Sequence, residues 1–244
     1  MILKMENYRY PSKDEWLTVS NKFPTITRFG FPYVKEMTLL LTRKETIKGV
    51  YIKNNLYEWD AYLSKKIWNL RQSYVNMVVN FNRGLAIGEE DFGDEFKVIQ
   101  LFNFEFYAET SFYYLIAARD TIYQIINLAF DLDIKEHRVN GDEILLKLDA
   151  NGHSEIHNYV NRAYTDLKEA NDIRNSLAHK FSKLSSDRRG VISDDGRSYG
   201  ASAGHFIEYP RQVEILDRSL EHLRDFFFSI RDSMMQIHQL EPDN

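Results

Sequence analysis

Cysteine is absent from the 244 residues of the chain. Disulfide bridges, thiolate nucleophiles and cysteine-ligated zinc are therefore excluded. Proline and glycine are scarce, at five and eleven residues, which suits long uninterrupted helices better than a turn-rich β fold. No stretch reaches the roughly 18 consecutive apolar residues that a membrane-spanning helix needs. The first residues, Met1 to Tyr8, lack the apolar core and cleavage site of a secretory signal. Formal net charge is −5, so no overall basic field attracts nucleic acid, and such a partner would need a local basic patch. The expectation is a cytoplasmic protein with no cofactor or metal signature.

What is present is an ordinary globular composition, 43% hydrophobic and 27% charged, with unusually many aromatics: 15 Tyr and 16 Phe. A chain of this length can bury a sizeable core. Near the N-terminus, Ser12-Lys13-Asp14-Glu15 fits a capping box before a short helix ending near Ser20. Thr42-Arg43-Lys44-Glu45 is a second match. From Leu56 to Arg83 the pattern turns helical, with Leu56, Leu63, Leu70 and Met77 repeating every seven residues. The acidic loop after it, with Glu89, Glu90 and Asp91, lacks the alternating ligand spacing of a calcium site and reads as a solvated turn.

Residues 94–132 contain neither Pro nor Gly and should form one long helix or two with a kink. Its aromatic run (Phe102, Phe104, Phe106, Tyr107, Phe112, Tyr113, Tyr114) is read as core packing in preference to base-stacking platforms. Residues 133–152 are read as a connection, with Asn140-Gly141 as a turn dipeptide. A helix is expected from His153 to Ser185. The loop from 186 to 209, rich in Gly and Ser, offers Asp194-Asp195-Gly196 as the turn of a small hairpin. The last helix runs from Pro210 to about Leu240. Its apolar seam (Val213, Leu216, Leu220, Leu223, Phe227, Ile230, Met234 and Ile237) alternates steps of three and four without a miss, as in an antiparallel bundle or an intermolecular coiled contact. The reading is an all-α antiparallel helical bundle, with residues 94–244 as the body and 1–93 as an arm and helical extension packing on it.

The helix expected over 153–185 carries the chemistry. Ile156, Val160, Ala163, Leu167 and Ala170, then Leu177 and Phe181, recur at helical spacing. Arg174 takes the place that should continue this apolar stripe. A guanidinium aimed at a core is costly unless it is paired or lines a wet cleft. Asp120 and Glu109, polar residues of the preceding long helix, are the candidate carboxylates for it. His179, five residues on, has the side chain whose ordinary pKa suits proton transfer near neutral pH. The bare pattern of Arg, a few residues and His is weak, since Arg231 and His238 match it within the packing seam. Context distinguishes Arg174 and His179: Asn175 follows the arginine, and a basic cluster (Lys180, Lys183, Arg188, Arg189 and Arg197) lies just downstream. That cluster could track an RNA backbone or be a solvated loop. His153 and His157 have the spacing of a helical metal pair but no third ligand, and read as a surface pair.

Arg174-Asn175-Ser176-Leu177-Ala178-His179 resembles the Arg-Asn-x3-His form of the signature of the HEPN superfamily. These are all-α domains, many of them metal-independent endoribonucleases of toxin–antitoxin, abortive-infection and CRISPR-linked systems. The resemblance implies that His179 acts as general base or acid. Arg174 would hold the phosphate and stabilise charge in the transition state, while Asn175 positions the phosphate or a partner side chain. It implies RNA cleavage through the 2′-OH to 2′,3′-cyclic phosphate and 5′-OH ends, without a metal, in defence or stress. The family's site commonly forms at a dimer interface. Five helical steps put Arg174 and His179 about 140° apart around a straight helix, so a composite site across a two-fold axis or a bend near Ala178 would let them converge, and the resemblance implies a homodimer. Toxins silenced by a partner nucleotidyltransferase usually carry Tyr two residues after the His. Phe181 stands there, which points instead to a free-standing protein or another kind of antitoxin. The alternatives are a non-catalytic HEPN-like module that binds RNA or a nucleotide, and a helical interaction scaffold in which Arg174 is an ion-pair residue.

Overall fold

The structure is a computed structural model and describes residues 9–33, 46–179, 182–184, 190–192, 199–201 and 206–238. Seven α-helices are described: α1 (Lys13–Ser20), α2 (Ile47–Asn82), α3 (Glu95–Ala129), α4 (Gly141–Ala150), α5 (Ser154–Asp166), α6 (Lys168–His179) and α7 (Tyr209–His238). Single 3-10 turns lie at Glu89–Gly93 and Glu136–Arg138. The all-α architecture is as the sequence pattern requires. Among the described residues no helix is long and apolar enough to cross a membrane.

Two short strands interrupt the helices. β1 (Gly190–Ile192) pairs antiparallel with β2 (Tyr199–Ala201), Val191 standing opposite Gly200. This is the expected hairpin, although its Asp194-Asp195-Gly196 turn lies outside the described residues. The capping box at Ser12 is also present. The Ser12 hydroxyl accepts the Glu15 N–H at 3.3 Å, and the Glu15 carboxylate accepts the Ser12 N–H at 2.8 Å.

Three helices differ from the sequence reading. α2 starts at Ile47, well before Leu56, because Thr46 caps it by accepting the Gly49 N–H on its hydroxyl at 3.0 Å. The other capping-box match, at 42–45, lies outside the described residues. Residues 133–152 are not a plain connection, for they contain α4. Asn140 is its N-cap, accepting the Glu143 N–H at 3.0 Å, and Ile144 and Leu148 bury its inner face against α5. Gly141 fits there because a Cβ would come within 2.6 Å of the Tyr164 ring. Finally, the helix expected over 153–185 is two helices: the backbone turns at Leu167, which caps α5, and α6 begins at Lys168.

The described chain forms two compact units, and α2, α3 and α7 each contribute residues to both. The first comprises α1 with the second part of α2, the first part of α3, α6 from Glu169, the hairpin, and α7 up to Arg218. Phe104 is its aromatic centre, fully buried, with Phe81 at 5.8 Å and Tyr209 at 5.4 Å between ring centroids. Arg83 ties down the N-terminal arm. It donates to both carboxylate oxygens of Glu15 at 2.8 Å and to the carbonyls of Arg9 and Tyr10.

The second unit comprises Pro24–Asn69, Tyr114–Lys168 and the chain from Ser219. Buried Leu63, Ile122, Val160, Leu223, Phe227 and Ile230 form part of its core. Of the α7 seam, Leu216, Leu220, Leu223, Phe227, Ile230 and Met234 are buried and Val213 half-buried, while the Ile237 side chain lies outside the described residues. Asp60, fully buried on α2, accepts the backbone N–H groups of Phe29, Gly30 and Phe31 at 2.8, 3.0 and 3.4 Å. Gly30 sits at φ 86°, the left-handed turn that aims these donors at one carboxylate. Buried Arg231 donates to the Phe29 carbonyl at 3.3 Å from the other side. This explains an arginine inside the seam, and fixes the arm by its backbone.

Candidate active site on the motif helix

The site is built on α6, which holds Arg174, Asn175 and the backbone of His179, its last residue. The buried positions of α5 and α6 are Ile156, Val160, Ala163, Leu167, Ala170, Ile173 and Ser176. The stripe thus shifts by one residue after Ala170. Ile173 takes the core position that the periodicity gave to Arg174, and Arg174 and Asn175 lie half-buried at its edge. This resolves the cost of a guanidinium in an apolar stripe, because Arg174 does not take a core position. Ser176 satisfies its buried hydroxyl by donating to the Ile173 carbonyl at 2.6 Å. The His179 side chain lies outside the described residues.

Residues near the start of α7 hold α6 at both ends. Glu169, in its first turn, accepts from Arg211 at 3.5 Å and from Arg218 in a short pair. Past the helix end, the Leu184 carbonyl accepts from the Gln212 amide at 3.1 Å, and the Lys183 carbonyl accepts the Ile207 N–H at 2.9 Å. Arg211 and Gln212, neighbours near the start of α7, thus hold both the first turn of α6 and the chain past its end. Arg211 and Arg218 were not marked by the motif. Their spacing of seven places both on one face of α7, which is the signal that could have found them.

Of the other sequence-predicted residues, Asp120 and Glu109 lie on α3. Lys183 is exposed just beyond the motif helix, whereas Lys180, Arg188, Arg189, Arg197 and Phe181 lie outside the described residues. Asp120 accepts from Arg119 at 2.7 Å, and that arginine is itself buried and lies 5.4 Å from the Tyr123 ring. Glu109, on α3, stands close enough to Glu105 to push its carboxyl upward, in the same direction as the burial that is the larger cause. The hydrogen bond from Tyr209 to Glu105, at 3.2 Å, opposes both. That tyrosine's hydroxyl is pushed well above its ordinary value by burial and by the carboxylate.

His153, at the start of α5, packs its ring 5.1 Å from Phe130. A cleft of about 570 Å³ in the second unit is lined there by His153, Glu155, Tyr159, Ser229 and Asp232 and contains none of the motif residues. Among the described residues no group of three His, Asp or Glu side chains is placed to hold a metal ion.

The chain is thus mainly helical, with an Arg-Asn pair and a histidine in the last turns of one short helix. Residues 59–239 match the family model described as Cthe2314-like HEPN. The chain belongs to that HEPN family, and the matched stretch runs from within α2 to the end of α7. No curated protein and no solved structure matches the chain significantly.

Proposed function

We propose that the chain is a metal-independent endoribonuclease of HEPN type, acting as a homodimer in defence or stress. The observation that carries this is the pairing of Arg174-Asn175 with His179 on one helix of a chain that belongs to the HEPN superfamily. RNA supplies its own nucleophile, the 2′-OH, so cleavage requires only proton transfer and stabilisation of developing charge. His179 would take the proton from the 2′-OH or return one to the leaving oxygen. Arg174 would bind the non-bridging phosphate oxygens, and a half-buried guanidinium is well suited to bidentate phosphate contact. Asn175 would orient the same phosphate. Lys180, Lys183, Arg188, Arg189 and Arg197 would follow the backbone on either side.

Their spacing puts positions 174 and 179 about 140° apart around a straight helix. Convergence on one phosphate then calls for the motif helix of a second copy. The same angle supports the second reading, a non-catalytic module that binds RNA or a nucleotide as a single copy. Incubating the wild-type protein with a mixed RNA pool in EDTA separates the two. The nuclease reading expects 2′,3′-cyclic phosphate and 5′-OH products, lost in Arg174→Ala and in His179→Ala. RNA that is bound but left intact by the wild type would establish the second reading instead.

A further inference from the structure

The exposed face of α3 in the first unit combines aromatic side chains with unpaired negative charge. Phe102, Phe106 and Tyr113 are 53%, 62% and 53% exposed. With Glu109 they fall within about 60° of one another around the helix and span about 16 Å along it. Three large aromatics more than half exposed on one stripe mark an interaction site. Glu105 flanks the stripe, and Glu105 and Glu109 are the only charged residues between Lys97 and Arg119. Among the described residues neither has a basic partner: Glu105 accepts from Tyr209, and Glu109 acts on Glu105 by repulsion.

Charge selects the occupant. A single-stranded nucleic acid could stack on the rings, but its phosphates would meet carboxylates with no Lys or Arg between them. A second copy laid antiparallel across a two-fold axis would bring Glu105 and Glu109 of both chains together without a cation. A helix with apolar anchors at steps of three and four, flanked by Lys or Arg, satisfies both the rings and the carboxylates. We propose that the Phe102–Phe106–Glu109–Tyr113 face of α3 is the docking surface for a basic amphipathic helix of a partner protein. The face carries none of the motif residues, so such a partner would bind outside the motif helix.

The test uses the full chain and a labelled, end-blocked helical peptide of about 14 residues, long enough to cover the stripe. Its apolar face is Leu and its polar face Lys, and a second peptide carries Glu in place of every Lys. Fluorescence anisotropy should show saturable binding of the lysine peptide and none of the glutamate peptide. Affinity should fall at least about tenfold in Phe102→Ser/Phe106→Ser and again in Glu109→Lys, as expected for anchors of an interface. All three side chains lie at least partly on the surface, and thermal melts would verify that the variants fold. No binding, or equal binding by wild type and variants, would overturn the proposal. So would self-association of the wild type by sedimentation that the same substitutions abolish, since the occupant would then be a second copy.

Discussion

Single carboxylates do distinct work in the two units. Asp60 is fully buried and gathers three backbone donors. Removing it strands those donors in the interior, so Asp60→Ala should cost about 3 kcal/mol, read from the urea midpoint. An unchanged midpoint would mean that the arm around Phe29 is not held by this carboxylate. Glu15 behaves differently. The hydrogen bonds from Arg83, the largest cause, lower its pKa to about 2 from an ordinary 4.5, against the opposing effect of burial. A depressed carboxyl adds stability that is fully present above its unfolded value and is lost as pH falls toward the folded one. The arm contact should therefore weaken between about pH 4.5 and pH 2. With Glu15 36% exposed, solvent screening limits the effect to about 1 kcal/mol or less. Glu15→Gln should flatten the acid limb of the stability curve, and a limb identical to wild type would contradict the assignment.

At the scale of the element, α7 sets the clearest energetic contrast. Phe227 is fully buried, 4.7 Å from the Phe29 ring, whereas Val213 on the same seam is only half-buried. Phe227→Ala should destabilise by about 3–5 kcal/mol and Val213→Ala by about 1 kcal/mol, measured by chemical denaturation. Equal losses would show that the seam is packed uniformly. The seam was legible in the sequence because its period runs unbroken and because helical periodicity is a property of neighbours in the chain. The hairpin was legible for the same local reason. α4 was not, since a ten-residue helix whose inner face buries only Gly141, Ile144 and Leu148 leaves too short a pattern. The turn at Leu167 carries neither Gly nor Pro, so nothing local announced it, and the successive steps of three from Ala170 to Ile173 and Ser176 leave Arg174 off the stripe that a regular alternation gave it. Asp60 and the Glu169 pair with Arg211 and Arg218 were invisible for a different reason. Their partners are distant in sequence and meet only in the fold. The motif itself was legible because Arg174, Asn175 and His179 lie within one short stretch.

For the whole molecule, family membership fixes the superfamily and leaves the assembly of the site as the deciding question. If the reaction centre draws Arg174 from one copy and His179 from the other, the two single variants should complement each other. A dimer of one Arg174→Ala chain and one His179→Ala chain contains one intact site and one doubly defective site. Random mixing makes half of the dimers mixed, so about a quarter of wild-type activity should return if each site contributes equally and independently. The decisive measurement is RNA cleavage by each variant alone and by the two after co-refolding, in EDTA, with the product ends identified. The account predicts inactive single variants, restored cleavage in the mixture and cyclic-phosphate ends. A mixture as inactive as its components beside an active wild type would contradict the shared site, and a wild type that leaves RNA intact would contradict the nuclease itself.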